Sequence, residues 1–413
     1  MIKAHKIRLH PTPEQANYFA RAAGTARFTF NWAVAEWKRQ YEAGGKPSAL
    51  ALRTTFNAIK KEQFPWVYEV SKCAVEGAFM DVAAAFKNFF EGIKTGRKVG
   101  YPKFKSKKRS RQSFYLANDK FTVGDHWIDV PKLGRVNMAE KLRFSGKILA
   151  ARISKTATWW FVSITVKISD ELSLNNHLPV GVDVGLNRLA TLSDGRQYEN
   201  QRPLVHQLKK LRRLNKELAR RTKGGKNWFK TKDTLSRVHY EIACIRLDWL
   251  HKLTTEIAST SGIVAVEDLH VKGLIRNRCL SRAFSDASVG KLLDLLESKV
   301  AAQGRMLIKV DRFFPSSQLC HCCGARNTDL TLADRVFVCP NPDCGYIGDR
   351  DENASCNIVL EALRMFGLNL NMPSARVATA RRKTAWGPGV RPKGRQVRSE
   401  APGDEPGRIK GVC

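Results

Sequence analysis

Three short acidic motifs constrain the fold of this chain more than any other feature. Two of them, Gly181-Val182-Asp183-Val184-Gly185 and Val264-Ala265-Val266-Glu267-Asp268-Leu269, end short apolar runs typical of β-strands. The third, Asp349-Arg350-Asp351-Glu352-Asn353-Ala354, opens an apolar helical segment. Carboxylates that converge from separate elements repel one another unless divalent cations neutralise them. Two such cations about 3.5–4 Å apart are a common device for cutting phosphodiesters, so the motifs predict a metal-dependent nuclease.

Each motif offers one best candidate ligand. Asp183 sits between two valines, where a buried carboxylate costs several kcal/mol unless it is paired or metal-bound. Glu267 and Asp268 are adjacent, so only one faces the site if the strand continues, and Glu267 is the predicted one. Asp351 lies nearest the helix, whereas Asp349 fits an N-cap. For any one of these acids, a surface or capping role is the ordinary alternative.

The charge balance points to a polyanionic partner. The 413 residues contain 71 Lys and Arg against 38 Asp and Glu, a net charge of +33. Basic residues interleaved with aromatics suit an extended nucleic acid whose counterions are released on binding. The apolar content of 43% is enough for folded cores, and the length suggests roughly two to four domains. No apolar stretch reaches the roughly 18–20 residues of a transmembrane helix, so we expect no membrane partner.

Ten cysteines are present, and five of them lie within residues 320–344. Cys320, Cys323, Cys339 and Cys344 have the spacing of a tetrahedral zinc site, although the second pair has four intervening residues instead of the usual two. Cys322 is an alternative to Cys320 or Cys323, and reduced cysteines without metal are the other interpretation. Four thiolates leave no open position, so the zinc is predicted to be structural. The other cysteines are scattered, which favours a cytoplasmic or nucleoid location over secretion.

The first 168 residues predict a strand, then helices, then strands. Residues 2–9 alternate like a β-strand, and Thr12 fits a helix N-cap with Gln15 closing a capping box. Helical spacing continues to about residue 93, and after a basic break at 94–111 the segment 114–168 is rich in strand patterns. The clearest strand has one apolar face: Val162, Ile164, Val166 and Ile168. These strands suggest a small β-barrel that residues 2–9 help to complete, with a helical lobe inserted.

From residue 180 the pattern becomes α/β. Buried strands are predicted at 180–184, 263–266 and 306–310. Helices are expected at 204–218 and 238–257, separated by a basic stretch at 220–232. Low periodicity with many Gly and Pro residues predicts a disordered basic tail at the end.

One basic segment combines aromatic rings with phosphate-binding charge, a mixture that suits single-stranded or structured RNA. A solvated basic loop is the alternative interpretation. The candidate nucleic-acid-binding residues are Tyr101, Lys103, Phe104, Lys105, Lys107, Lys108 and Arg109.

Taken together, the motifs resemble those of TnpB, the RNA-guided nuclease family of bacterial insertion sequences, which is related to type V CRISPR effectors. Besides the acidic motifs and the cysteines, the resemblance covers four segments: Lys6-Ile7-Arg8-Leu9-His10-Pro11-Thr12-Pro13-Glu14-Gln15, Gly24-Thr25-Ala26-Arg27-Phe28-Thr29-Phe30-Asn31-Trp32, Pro102-Lys103-Phe104-Lys105 and Ser316-Ser317-Gln318-Leu319-Cys320. It implies an α/β, RNase H-like (RuvC) nuclease domain with an inserted zinc ribbon, and a wedge β-barrel with an inserted helical recognition lobe. In such a site Asp183, Glu267 and Asp351 would bind two Mg²⁺.

The resemblance also implies a division of the chain. The wedge β-barrel would comprise 1–10 and 114–178, the helical recognition lobe 11–113, the nuclease domain 179–317 and 348–365, the target-binding zinc ribbon 318–347, and the basic tail 366–413.

The implied partners are a guide RNA from the transposon end and double-stranded DNA, cleaved next to a short transposon-adjacent motif. A monomer with one RNA in the bacterial cytoplasm is expected. Three alternatives remain open from the residues alone: a compact type V CRISPR effector, a DNA transposase, and a non-catalytic nucleic-acid-binding regulator.

Overall fold

The computed structural model describes residues 1–169, 177–331 and 333–367. Of the predicted tail, residues 368–413 lie outside the described ranges. Within those ranges, each helix is too short or too polar to cross a bilayer.

Seven antiparallel strands from the first 167 residues form one sheet, in the order β2-β6-β7-β1-β5-β4-β3. Their bounds are β1 (Ile2–His10), β2 (Ser113–Ala117), β3 (Thr122–Val123), β4 (Trp127–Val130), β5 (Gly134–Met138), β6 (Lys147–Thr156) and β7 (Trp159–Lys167). The N-terminal strand β1 lies near the middle, with Ile7 opposite Val162 of β7. Among the described strands the order is open, with β2 at one edge and β3 at the other. Closure into a wedge barrel therefore stays a prediction.

The alternating pattern predicted for β7 is confirmed. Val162, Ile164 and Val166 are fully buried, while Ser163 and Thr165 on the opposite face are only partly covered. The apolar face packs in one core with β1, β6 and the helix that follows β1. Alternation is a local property of a strand, which is why the sequence predicts it well.

Three helices lie between β1 and β2: α1 (Pro13–Glu42), α2 (Ala49–Gln63) and α3 (Cys73–Lys94), with a short 3-10 helix at Pro65–Glu69. The predicted capping box is confirmed, because the Gln15 amide N–H donates to Thr12 Oγ1 (3.3 Å) and the Thr12 N–H donates to Gln15 Oε1 (3.0 Å). The helices share an aromatic core in which Trp37 stacks on Phe86 with 3.8 Å between ring centroids.

The second sheet has five strands in the order β10-β9-β8-β11-β12. They are β8 (Val180–Asp183), β9 (Arg188–Leu192), β10 (Gln197–Glu199), β11 (Ile263–Glu267) and β12 (Met306–Val310). Strand β11 is parallel to both β8 and β12, and β9 returns antiparallel to β8. The prediction that β12 is fully buried is wrong, since Met306 is 45% exposed and Lys309 is exposed. Strand β12 is the sheet edge, where one side lacks a covering strand.

Helices cover both faces of this sheet. They are α4 (Pro203–Arg220), α5 (Lys226–Thr260), α6 (Val271–Arg276), α7 (Ser281–Ala287), α8 (Val289–Ala302) and α9 (Arg350–Met365). One face forms a core with α5 and α8, and the other face packs on α9. The expectation that residues 220–232 separate two helices is only partly right, because α5 already begins at Lys226. Lys and Arg are good helix formers, so a basic stretch does not end an exposed helix.

A small hairpin lies between β12 and α9. Its strands are β13 (Val336–Val338) and β14 (Ile347–Asp349), which pair antiparallel around the fully buried Phe337. The cysteine cluster belongs to this part of the chain.

Candidate metal centres

The register of the second sheet brings Asp183 and Glu267 together. Val182 of β8 lies opposite Val266 of β11, and the two strands are parallel. The next residue on each strand is therefore a carboxylate at the same level, on strands about 4.8 Å apart. The carboxyl ends of parallel strands thus place two of the predicted ligands side by side.

Both acids face helix α9. Side chains alternate along a strand, and Ala265, two residues before Glu267, is buried in the core shared with α9. Gly181, two residues before Asp183, lies so close to α9 that a Cβ added there would be 1.9 Å from the Ser355 carbonyl oxygen. Gly181 is thus the position where helix and strand backbones touch, a role that sequence reasoning did not assign to it.

Asp351 is carried to the same place by the start of α9. Asp349 caps the helix, and its Oδ1 accepts the N–H groups of Asp351 (2.9 Å) and Glu352 (3.1 Å). Ser355 lies one turn after Asp351 and packs over Gly181. A helical turn and two strand residues have similar lengths, about 5.4 Å and 6.6 Å, so Asp351 lies at the Asp183 end of β8.

The electrostatics of Asp183 reflect this convergence. Burial raises the pKa of Asp183 to about 8, and the negative charges of Glu267 and Asp351 add to the rise, while the Arg350 guanidinium opposes it. Without a cation the group therefore holds its proton at neutral pH. Oxygen donors that are costly to ionise together are the type of set that hard divalent cations neutralise, so these residues fit Mg²⁺.

The neighbouring acids that were not chosen have other partners. Asp268 pairs with the Arg312 guanidinium at the sheet edge and is about half exposed. Asp349 is the N-cap of α9, as its position suggested, and also accepts a hydrogen bond from Arg188 Nη1 at 2.7 Å. Both carboxylates are thus occupied by protein groups.

One further contact at the site has no signal in the local sequence. Ser316 Oγ donates to Glu267 Oε1 at 2.5 Å, although the two residues are 49 positions apart. Ser316 belongs to a motif that carried the family resemblance, but sequence reasoning gave it no role.

The four predicted cysteines form a compact cluster. The ligand atoms of Cys320, Cys323, Cys339 and Cys344 all lie within 4.8 Å of one another. Cys322 is exposed and lies outside the cluster, with its Sγ 3.4 Å from His321 Nε2. A hydrogen bond from the Ala325 backbone lowers the pKa of Cys323 to about 7, so that thiol ionises readily. Four thiols at this spacing fit a tetrahedral zinc ion.

The candidate nucleic-acid residues divide into two groups. Tyr101 packs edge-on against Phe86 (5.4 Å between centroids), and Lys105 pairs with Asp81 (3.1 Å) and lies over the Phe30 ring. These two hold the segment against the helices. The other five are exposed: Lys103, Phe104, Lys107, Lys108 and Arg109.

Three family models match the chain. One, of the family OrfB_IS605 described as "Probable transposase", matches residues 163–278. A "Cas12f1-like, TNB domain" model matches 290–358, and a "Helix-turn-helix domain" model matches 1–46. Over the last range the structure has strand β1 followed by the single long helix α1.

Similar proteins extend over most of the chain. A protein of Streptomyces pristinaespiralis is 32% identical over 367 residues, which cover 87% of this chain and 89% of that protein. One of Mycobacterium tuberculosis is 30% identical over 448 aligned positions, covering 98% and 96%. Both carry the name "Putative RNA-guided DNA endonuclease".

Among solved structures, the Cas12f1–sgRNA–target DNA complex contains a similar fold. The TM-score is 0.55 at 15% identity, and the match covers 84% of this chain and 83% of that one. The likeness is to a compact effector with a RuvC-like nuclease fold, and the four-cysteine cluster accords with it. With these relatives, the chain belongs to the TnpB family of transposon-encoded RNA-guided DNA endonucleases.

Proposed function

We propose that this protein binds a guide RNA derived from a transposon end and cleaves double-stranded DNA next to a short transposon-adjacent motif. The names of its relatives support RNA-guided cutting of DNA. The observation that carries the proposal is the convergence of Asp183, Glu267 and Asp351 on one face of the sheet, reflected in the raised pKa of Asp183. Its DNA substrate would bring the protein to the bacterial nucleoid.

In the proposed reaction, the three carboxylates hold two Mg²⁺. When bound, such ions make water a better nucleophile and stabilise charge on the leaving 3′ oxygen, so that products carry 5′ phosphates. The chain's own part is to hold the carboxylates in place. Ser316 orients Glu267, and the Asp349 cap fixes the first turn of α9 that carries Asp351.

The four cysteines would bind one structural zinc. A hairpin as small as β13–β14 has little core, and a structural zinc supplies on the order of 10 kcal/mol to such a segment. With all four positions taken by thiolates, the ion has no place for substrate. The zinc ribbon, wedge β-barrel and helical recognition lobe keep the boundaries predicted above as part of this proposal.

Guide and target would be bound mainly by charge and shape. Base pairing between guide and DNA supplies the sequence specificity, while the protein holds the heteroduplex. The five exposed residues between Lys103 and Arg109 suit the RNA backbone and an unpaired base. We propose a monomer with one RNA.

The test is to purify the protein with its native genomic flank, sequence the bound RNA, and measure Mg²⁺-dependent cutting of a matching DNA. A matched pair of variants uses two adjacent acids. Glu267→Gln is expected to abolish cutting, whereas Asp268→Asn, whose side chain pairs with Arg312, keeps it within a few-fold.

Retained cutting in Glu267→Gln would remove that residue from the site. RNA-independent joining of DNA strands would favour a transposase, and guide binding without any cutting would favour a regulator.

A further inference from the structure

A short segment links the candidate nuclease site to the cysteine cluster. Residues 316–321, here called the connecting segment, lead from the region after β12 to the first clustered cysteine, Cys320. The segment runs beside the first two turns of α9, where it makes side-chain hydrogen bonds to two buried asparagines, Asn353 and Asn357.

At its beginning, the connecting segment holds Glu267. Ser316 is buried, and its Oγ donates to Glu267 Oε1 at 2.5 Å. The Ser316 carbonyl in turn accepts a hydrogen bond from Asn357 Nδ2 at 2.8 Å. The carboxylate at the end of β11 is thereby tied to α9 through one serine.

At its end, the connecting segment holds the start of α9. Asn353, two residues after Asp351, is fully buried, and its Nδ2 donates to the Leu319 carbonyl at 2.6 Å. Its Oδ1 accepts the His321 backbone N–H at 3.1 Å and lies 2.9 Å from His321 Nδ1. His321 stands between Cys320 and Cys323, so a displacement of these cysteines moves a direct partner of α9.

A second contact comes from the loop between the two cysteine pairs. Arg350, the first residue of α9, donates from Nη1 to the Thr331 carbonyl at 2.6 Å, and its backbone N–H donates to the Arg335 carbonyl at 2.9 Å. The first turn of α9 is therefore held on both sides by the cysteine-bearing part of the chain.

We propose that Ser316, Asn353 and His321 are positioning residues through which the cysteine cluster sets the geometry of Glu267 and Asp351. The inference rests on the proposed nuclease site. Three carboxylates that repel one another drift apart unless outer hydrogen bonds fix them, and the loss of such outer partners typically costs about 10–100-fold in metal affinity or activity. The cysteine cluster thus supports the nuclease site in addition to stabilising its own hairpin.

The test compares Ser316→Ala and Asn353→Ala with Asn327→Ala. The control asparagine also lies in the cysteine-bearing region, but its Nδ2 bonds the Val338 carbonyl at 2.9 Å rather than the connecting segment. Mn²⁺ affinity by calorimetry, used as a probe of the Mg²⁺ site, and the Mg²⁺ concentration for half-maximal cutting are measured. Zinc content and melting temperature are followed in parallel.

Ser316→Ala and Asn353→Ala are expected to weaken Mn²⁺ binding by about 10-fold or more and to raise the Mg²⁺ requirement equally. Zinc content should be unchanged, and Asn327→Ala should bind Mn²⁺ like the wild type. Removing zinc from the wild type with a chelator should weaken Mn²⁺ binding as well.

Wild-type Mn²⁺ affinity in a folded Ser316→Ala variant would overturn the proposal, even if Asn353→Ala does not fold. Unchanged Mn²⁺ affinity after zinc removal would overturn it too. If instead the wild type does not cut DNA with Mg²⁺ and guide, the proposed function fails, which is a different result.

Discussion

Replacing Gly181 by alanine tests the contact that places α9 over the candidate site. The added Cβ would lie 1.9 Å from the Ser355 carbonyl oxygen and 2.9 Å from the Val359 nitrogen, and both of these are backbone atoms of α9. Ordinary contact begins at 3.4 Å, so the helix has to retreat by about 1.5 Å. No flexible side chain is available to absorb this change.

The retreat has two calculable effects. Overpacking of this kind costs about 1–3 kcal/mol of unfolding free energy. Asp351, one turn before Ser355, moves with the helix, and a misplacement of about 1 Å in a catalytic group can reduce the rate by roughly 100-fold. We therefore expect Gly181→Ala to lower the rate of guide-directed DNA cutting about 100-fold, with guide RNA binding nearly unchanged.

The assay measures single-turnover cutting at saturating guide, together with thermal unfolding. Gly290→Ala is the matched control, because the added Cβ there meets only Val271 Cγ1 at 3.5 Å, an ordinary contact. This control should cut like the wild type and be equally or slightly more stable. If Gly181→Ala cuts within three-fold of the wild type at an unchanged melting temperature, the helix does not govern the acids as argued.

Four further outcomes are expected. Asp351→Ala should abolish cutting while guide and target affinities, measured by filter binding, stay near the wild-type values. Guide affinity should fall on the order of 10³-fold between 50 and 200 mM salt, and a flat response would contradict a charge-dominated interface. Although burial raises the pKa of Asp81, hydrogen bonds and charges from Arg152 and Lys105 lower it further, so its stabilising effect is present above the unfolded-state pKa of about 3.9 and is lost as pH falls through the lower folded-state pKa. Asp81→Asn should thus cost about 1–3 kcal/mol in chemical unfolding at pH 7 and progressively less at acidic pH. Zinc chelation should make the range 318–347 sensitive to limited proteolysis, and continued resistance would argue against a structural metal there.

Features that depend on neighbouring residues could be predicted from the sequence. The Thr12 capping box and the alternation along β7 are of this kind. The meeting of Asp183 and Glu267 was also predictable, because each acid ends an apolar strand and parallel strands align their carboxyl ends.

Contacts between distant segments could not be predicted in the same way. The Ser316–Glu267 hydrogen bond joins residues 49 positions apart, and the approach of Ser355 to Gly181 depends on how a helix lies on a sheet. The edge position of β12 likewise follows from strand order, which the composition of a single strand does not reveal. Packing of this type is set by the whole fold rather than by local propensity.

The central place of β1 in the seven-stranded sheet has a consequence for synthesis on the ribosome. Strand β1 emerges first, yet Ile7 pairs with Val162, and most of the neighbouring strand is translated much later. Helices α1 to α3 can pack locally in the meantime, whereas β1 has to wait with its backbone groups unpaired. Long-range pairing of this kind slows folding and exposes the nascent chain to aggregation. We expect a stall in translation just before β7 to trap an incomplete sheet around an already folded helical lobe.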